Sequence, residues 1–156
     1  MLSRNDLYLL SFFRANARKP LTRISRETSM PVSTIFDKLK RYEGSLIKKH
    51  TCLIDFKKLG FEIRVGMLLK AFKEKRQQLQ EFLMNHHRVN TLLRVTSGYD
   101  YFVEALFRNM EELQEFGDRI EEMGIEDRKD LFIIDEVKRE DFMSHPEYID
   151  IILHNL

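Results

Sequence analysis

The chain has 156 residues, of which 43% are apolar and 33% charged; this composition indicates a folded globular protein and argues against a disordered or fibrous chain. Its formal net charge of +1 conceals a basic segment, residues 1–60 with 13 Lys and Arg against 5 Asp and Glu, and an acidic segment, residues 61–156 with 13 against 20. The balances are +8 and −7, and this asymmetry predicts a nucleic-acid or membrane surface on the basic segment, because phosphate groups attract Lys and Arg.

Three helices are predicted in the basic segment. The first begins at Asn5 or Asp6, since a short polar side chain can cap the first free amides. The second is capped by Thr22 and turns Ile24 inward. After Pro31, a third helix carries apolar residues at helical spacing, namely Val32, Ile35, Phe36, Leu39 and Tyr42. Three helices with a tight turn between the second and the third form a helix-turn-helix.

From residue 61 onward the apolar period changes to two. Strands are predicted over "FEIRVGMLLKA", "VNTLLRVTS", "YFVEALFR" and "KDLFIIDEVKR", and helices over "KEKRQQLQEFLMNHH" and "NMEELQEFGDRIEEMG". Asn109 caps the second of these helices, with Glu112 as its reciprocal partner. The order βαββαβ predicts a ferredoxin-like fold, a four-stranded antiparallel sheet with two helices on one face. The other face is also apolar and predicts a partner subunit; it carries Leu68, Leu92, Phe102 and Leu106.

The predicted fold class is α+β, in four segments. Residues 1–50 form a helix-turn-helix domain of winged-helix-like type, 51–60 a β linker, 61–141 the βαββαβ domain, and 142–156 a C-terminal tail. The tail is predicted to be a short amphipathic helix that closes a subunit interface. The alternative is a frayed end, against which its apolar residues argue: Tyr148, Ile151, Ile152 and Leu156.

The sequence shows neither a membrane-spanning segment nor a secretion signal, and no membrane partner is expected. No apolar run reaches the roughly 20 residues that span a bilayer, and "MLSRNDLYLL" lacks the apolar region of a signal peptide, so a cytoplasmic protein is expected. The single cysteine, Cys52, cannot form an internal disulfide and is interpreted as a small buried apolar residue.

The segment "LTRISRETSMPVSTIFDKLKRYEGSLIKKHTCLIDFKKLG", followed by a βαββαβ module that carries "VTSGYDYFVEA", resembles the leucine-responsive regulatory protein family (Lrp/AsnC). The resemblance covers residues 5 to about 141 and rests on two signatures in the right order and at the right spacing. It implies a transcriptional regulator whose partners are double-stranded DNA, further copies of the same chain as a homodimer or larger homo-oligomer, and a small amino-acid effector bound by the C-terminal module.

The candidate residues for reading DNA lie on the outward side of the third helix: Ser33, Thr34, Asp37, Lys38, Lys40 and Arg41. A helix fits the major groove, where Arg and Lys donate to guanine and Ser or Thr serves either base of a pair. The alternative is a solvated face on which Asp37 and Arg41 pair at i,i+4. A second basic set is predicted to contact phosphates without reading sequence: Arg18, Lys19, Arg23, Arg26, Lys48 and Lys49.

The resemblance places the effector at "SGYD". Gly98 permits close backbone approach, Tyr99 is predicted to wall the pocket, and Asp100 to accept from an α-ammonium group. Asp130 stands about where such proteins offer a hydroxyl to the effector; beside the loop, its carboxylate would favour a cationic amino acid. The alternative is that "GYD" is only a hairpin turn.

An enzymatic alternative also stands, because some proteins of this architecture are tetrapyrrole (sirohaem) decarboxylases that use histidine and tyrosine of the C-terminal module. The stretch "LLRVTSGYD" has no histidine, which favours a non-enzymatic regulator. The sequence predicts no cofactor and no metal site, since adjacent His86 and His87 point in different directions on a helix and the other histidines lack ligands at suitable spacing: His50, His145 and His154.

Overall fold

The computed structural model of the chain describes residues 2–153 and divides the chain into two compact units. The helical unit comprises Met1–Leu53 with Val137–Leu156, and the sheet unit comprises Ile54–Glu136. The tail residues His154 and Leu156 lie outside the described residues. No helix in the described part of the chain is long and apolar enough to cross a membrane.

The helical unit contains the three predicted helices, α1 (Arg4–Ala15), α2 (Leu21–Thr28) and α3 (Val32–Glu43). Both predicted caps are wrong. Ser3 caps α1 and forms a reciprocal pair with Asp6, each side chain accepting from the other residue's amide, at 3.2 and 2.9 Å. Thr22 lies inside α2, which follows Pro20, a residue whose fixed φ suits a helix start.

The core of the helical unit is aromatic and aliphatic: Leu9, Phe12, Phe13, Ile24, Ile35 and Tyr42. Ser29 adopts the left-handed conformation, with φ 56°, and turns the chain between α2 and α3. The apolar residues of α3 do not all face this core. Ile35 and Tyr42 are buried, whereas Val32 and Phe36 are exposed, so the predicted single apolar stripe is wrong at two positions.

The sheet unit has the predicted βαββαβ order, and the ferredoxin-like fold is confirmed. Its elements are β1 (Ile63–Ala71), α4 (Arg76–Asn85), β2 (Val89–Arg94), β3 (Tyr101–Phe107), α5 (Met110–Glu122) and β4 (Ile125–Phe132). The strands are antiparallel, in the order β2-β3-β1-β4. Side chains of α4 and α5 pack on one face of the sheet around Val65, Met67 and Leu69.

Two details of this unit bear on the predictions. Asn109 caps α5 as predicted, its side chain accepting from the Glu112 amide at 2.9 Å. Its predicted reciprocal partner is wrong, because the Glu112 carboxylate accepts from the Arg108 amide, at 2.8 Å, and not from the Asn109 amide. The fourth strand begins at Ile125, four residues before the predicted "KDLFIIDEVKR", because Gly124 at φ 86° turns the chain directly from α5 into β4. The prediction missed the start of this strand because "IEDRKDLF" is rich in charged residues and lacks the alternation of apolar and polar residues that is typical of a strand.

We call the sheet face opposite α4 and α5 the open face. Of the predicted residues, Leu92 does not lie there: it is aligned with Val103 and packs against the core. The register of β2 shifts between Val89 and Thr91, and a one-residue shift exchanges the two faces of a strand. Leu93, 53% exposed, occupies the open face instead.

The predicted β linker, residues 51–60, contains no strand; a 3-10 helix spans Lys57–Leu59. A strand needs a hydrogen-bonding partner, and the described residues of a single chain supply none there. Cys52 lies in this stretch and is exposed, so its predicted burial is wrong.

The tail forms a 3-10 helix, Pro146–Tyr148, that leads into α6 (Ile149–Leu153). It packs against α1 within the helical unit, with Ile149 only 1% exposed. Arg4 forms a two-point pair with Asp150, its Nη2 lying 2.6 Å from Oδ2. The predicted helix is therefore present, while its role in a subunit interface stays a prediction.

Candidate nucleic-acid interface and effector loop

The side of α3 that faces away from the core carries most of the predicted DNA-reading residues. Ile35 and Tyr42 anchor the helix in the core, and because an α-helix turns 100° per residue, their neighbours project away from it. Apart from Val32 and Glu43 at the two ends of the helix, the exposed residues of α3 are called its outward face: Ser33, Thr34, Phe36, Asp37, Lys40 and Arg41. Five of these six were predicted, and Phe36 was not.

Lys38 is the exception among the predicted residues, because it points toward α1. Its ammonium group pairs with Asp6, which also accepts from the Tyr42 hydroxyl at 2.6 Å and from the Ser3 hydroxyl at 2.8 Å. Burial raises the pKa of Asp6, but the hydrogen bonds from Lys38, Tyr42 and Ser3 outweigh it and hold that pKa well below its usual range. Burial and the Asp6 carboxylate raise the pKa of Tyr42. Lys38 therefore fixes α3 to α1 rather than projecting outward.

The outward face of α3 is not held by an internal ion pair. The alternative interpretation of this face was a solvated surface on which Asp37 and Arg41 form an ion pair. In residues 2–153 no ion pair joins these two side chains. The Lys40 ammonium lies 5.6 Å from the Phe36 ring centroid, and the Arg41 guanidinium 5.9 Å from the Tyr42 ring centroid. Both cations lie near aromatic rings and are exposed. The Arg41 guanidinium also hydrogen-bonds Tyr42, but it carries five N–H donors, so others remain for an incoming acceptor.

The predicted phosphate-contact residues divide into two groups. Lys19 pairs with Glu27 at 2.7 Å, and Arg23 approaches the same carboxylate at 3.6 Å. Glu27 thus offsets part of the charge around α2. The remaining residues of this set are exposed: Arg18, Arg26, Lys48 and Lys49.

The effector candidate is the loop between β2 and β3. Gly98 has φ 95° and open space where a Cβ would stand, and Ser97 before it has φ 65°. The Asp100 amide donates to the Leu69 carbonyl at 2.9 Å. The Asp100 carboxylate accepts from the Ala71 amide at 3.0 Å and pairs with Arg76 at 3.0 Å. Asp100 therefore secures the loop to β1 and α4, and both of its oxygens are engaged.

Asp130 does not lie beside this loop within one chain. On β4 it is aligned with Met67 of β1, whereas Asp100 hydrogen-bonds residues further along β1 from the β3 side. The Asp130 carboxylate accepts from the Arg128 guanidinium at 2.8 and 2.6 Å. The neighbour of the loop on β4 is Asp127, whose hydrogen bond with Tyr99 raises the pKa of that tyrosine. Within one chain Asp130 therefore does not supply the second carboxylate that the prediction of a cationic effector assigned to it, and the carboxylate beside the loop is that of Asp127.

Comparison with known proteins decides the family. The model of the Lrp/AsnC ligand binding domain matches residues 65–142, half of the chain. An uncharacterized HTH-type transcriptional regulator of Pyrococcus abyssi is 31% identical over 74% of this chain and 73% of its own length. The chain belongs to the Lrp/AsnC family. The resemblance seen in the sequence is thus confirmed.

Other Lrp/AsnC comparisons agree. The HTH-type transcriptional regulator FL11 of Pyrococcus furiosus is 27% identical over 83% of this chain and 87% of its own. The fold matches that of a transcriptional regulator of Neisseria meningitidis in complex with L-Met, with TM-score 0.82, 18% identity, and coverage of 89% of this chain and 94% of that one. It also matches B. subtilis LrpC, with TM-score 0.80, 14% identity, and coverage of 88% and 98%. These relatives give no support to the decarboxylase alternative.

Two features of this Lrp/AsnC chain escaped the sequence prediction. The first is the Asp6 network; its signal was the Ser3-to-Asp6 spacing of a capping box, but nothing local indicates that Lys38 and Tyr42 reach the same carboxylate. The second is the exposure of Phe36. Phe36 follows Ile35 directly, so it lies about 100° further around the helix and cannot share the buried side with it. Counting apolar residues at helical spacing overlooks this difference.

Proposed function

We propose that the chain, as a transcriptional regulator of the Lrp/AsnC family, reads operator DNA with the outward face of α3. The observation that carries this is a helix anchored by Ile35 and Tyr42 that presents exposed polar and basic side chains within a segment of net charge +8. Lys40 and Arg41 are placed to donate to guanine or phosphate, and Ser33 and Thr34 to base edges. Exposed Lys48 and Lys49 add phosphate contacts that fix position without reading sequence.

In this proposal the regulator binds DNA as a dimer or larger assembly, and the open face of the sheet forms the contact between subunits. Gly66, which has no Cβ, leaves room for the Phe102 ring, and Leu68, Leu93 and Leu131 lie on the same face. Covering such a face with a second copy removes apolar surface from water. Two copies related by a dyad would place their α3 helices on half-sites about one helical turn, roughly 10 bp, or a multiple of it apart.

An amino-acid-sized effector binds at the loop of Gly98 and Tyr99, where subunits meet, and acts by changing assembly. The ligand-binding-domain match spans this loop, and the Neisseria meningitidis regulator of the same fold is in complex with L-Met. Because Asp100 is engaged with Ala71 and Arg76, its role in this proposal is to hold the loop in shape. A ligand shifts an equilibrium only through unequal affinity for two states, and a loop at a subunit contact changes its surroundings with assembly.

The test of DNA reading is a selection from random duplex oligonucleotides with the purified protein, followed by three variants on the best site. Arg41→Ala should weaken binding by about 1–3 kcal/mol and relax preference at one base position. Lys49→Ala should weaken all sequences similarly and reduce the salt slope by about 1. Lys73→Ala removes an exposed lysine of the sheet unit and should leave binding unchanged.

Two results would count against the proposal. One is that no duplex is enriched in the selection. The other is that Arg41→Ala and Lys49→Ala have equal effects on the selected site and on random DNA, because α3 would then not be the reading helix.

A further inference from the structure

Phe36 is an apolar residue in an unusual position. It is 48% exposed, although it lies in the middle of α3 next to fully buried Ile35. Its exposure follows from helix geometry, since the rotation of about 100° from Ile35 carries the ring out of the core. Large aromatic side chains are usually buried, and an exposed one among polar groups indicates a contact surface.

The neighbours of Phe36 are the residues that the proposed function assigns to DNA. Ser33, Asp37 and Lys40 stand three residues before, one after and four after it, so all lie on the outward face of α3. The Lys40 ammonium lies 5.6 Å from the ring centroid. Val32, one turn before Phe36, is also exposed, so the two residues form an apolar spot at the border of a polar and basic face.

The charge of the surroundings indicates what covers the ring. Residues 1–60 carry a net charge of +8, Lys40 adjoins Phe36, and Arg41 is exposed on the same outward face; such a face complements a polyanion. The described part of the chain's own tail, up to residue 153, is packed against α1 through Ile149 and is therefore not the occupant. Duplex DNA combines the required negative charge with one apolar group in the major groove, the C5-methyl of thymine.

We infer that the Phe36 ring contacts the C5-methyl group of a thymine in the major groove, which makes Phe36 a specificity-determining residue. This inference rests on the proposed function and names one base that α3 reads. The contact needs no hydrogen bond, because thymine is distinguished from cytosine by the methyl group as well as by its O4 acceptor. Lys40, held over the ring, reaches a phosphate or a guanine beside that thymine.

The experiment replaces thymine by uracil, one position at a time, in a half-site obtained from the selection. Uracil keeps the hydrogen-bonding groups of thymine and lacks only the methyl group. The wild-type protein should bind about fourfold more weakly at one position, the effect of one methyl group left in water. Phe36→Ala should bind the thymine and uracil duplexes equally at that position, and Phe36→Leu should retain part of the ratio.

A matched control is Leu46→Ala, which removes an exposed apolar side chain outside α3; it should keep the full thymine preference. Circular dichroism and urea midpoints like those of the wild type establish that the variants are folded. Equal wild-type binding of thymine and uracil at every position would overturn the inference and leave DNA reading intact. So would an unchanged thymine preference in Phe36→Ala. Absence of any selected site for the wild type would refute the proposed function itself.

Discussion

The Tyr42 hydroxyl of α3 donates a 2.6 Å hydrogen bond to the Asp6 carboxylate of α1. Lys38, also on α3, pairs with the same carboxylate, and Ser3 donates to it from the start of α1. One buried acid thus joins the proposed reading helix to the first helix at two points. The orientation of the outward face of α3 depends on this junction, because a rotation of the helix would separate these donors from Asp6.

Asp6→Asn should destabilise the helical unit by about 1–3 kcal/mol, since the half-buried Lys38 ammonium loses its charged partner and the network is then only partly satisfied. Amide hydrogen exchange of α1 and α3 measures the loss. Asp37→Asn is the matched control, because Asp37 is exposed on the same unit; its exchange rates should equal those of the wild type. A loss of the same size in both variants would contradict the structural role of Asp6.

The effect of Asp6→Asn should depend on pH in a defined direction. Because the pKa of Asp6 is lowered in the folded state, its stabilising contribution is complete above its unfolded pKa of about 4 and is lost as the pH falls toward its folded pKa. The stability difference between wild type and Asp6→Asn should therefore be constant from pH 7 to 5 and shrink below about pH 4. Urea unfolding of both proteins at these pH values measures this difference in stability. A difference that grows as the pH falls would contradict the lowered pKa of Asp6 in the folded state.

The fold could be predicted because its signals are local. Helical spacing, strand alternation and the Asn109 cap each lie within a dozen residues, and βαββαβ follows from their order. The errors have long-range or register causes. Lys38 turns inward to a carboxylate 32 residues earlier, and the exchange of Leu92 for Leu93 on the open face follows a register irregularity in β2. Asp100 is tied to β1 and α4 by contacts that no spacing rule reveals.

Ile149 should be a stability determinant of the helical unit. It is 1% exposed on α6, whereas Ile151 on the same helix is 61% exposed. Ile149→Ala should lower the free energy of unfolding by about 2–4 kcal/mol through the cavity it leaves, and Ile151→Ala, the matched control, by less than about 1 kcal/mol. Urea denaturation followed by helical circular dichroism distinguishes them. Equal small effects would mean that the tail contributes nothing to the packing of α1.

Gly98 should be required for effector binding. A thermal-shift and calorimetric screen of the standard amino acids should find a ligand for the wild type, and Gly98→Val should abolish its binding, because a branched residue does not adopt φ 95°. Gly60→Val is the matched control, since Gly60 has a similar φ of 84° and equally open surroundings outside the loop. If Gly98→Val binds the ligand as well as the wild type does, or if no amino acid binds the wild type, the loop is not an effector site and "GYD" is only a hairpin turn.

Asp100→Ala tests a different property. Its carboxylate satisfies the Ala71 amide and pairs with Arg76, so its removal should destabilise the sheet unit by about 1–3 kcal/mol even without effector. A loss of ligand binding in this variant would therefore report loop structure rather than direct contact. Urea unfolding of the ligand-free variant provides the measurement, and a stability equal to that of wild type would show that these hydrogen bonds are dispensable.

The open face should mediate self-association. Leu93 is 53% exposed there and is aligned with Phe102, and Leu131 is aligned with Gly66, whose missing Cβ leaves room for the Phe102 ring. Together these residues form an apolar strip across all four strands. Light scattering at micromolar concentration should give the mass of a dimer or larger for the wild type. Leu93→Glu and Leu131→Glu should each weaken association at least about tenfold, because a charge then has to be desolvated in the contact.

Met84→Glu is the matched control for the open face. Met84 is also a large exposed apolar residue of the sheet unit, but it lies on α4, which packs on the opposite face of the sheet. Its substitution should leave the measured mass unchanged, because the proposed contact does not involve α4. Loss of the dimer in Met84→Glu but not in the leucine variants would place the contact on the helical side. If the wild-type protein is monomeric at micromolar concentration, the open face is not a subunit interface. The proposed spacing of DNA half-sites, which depends on a two-fold dimer, would then be refuted as well.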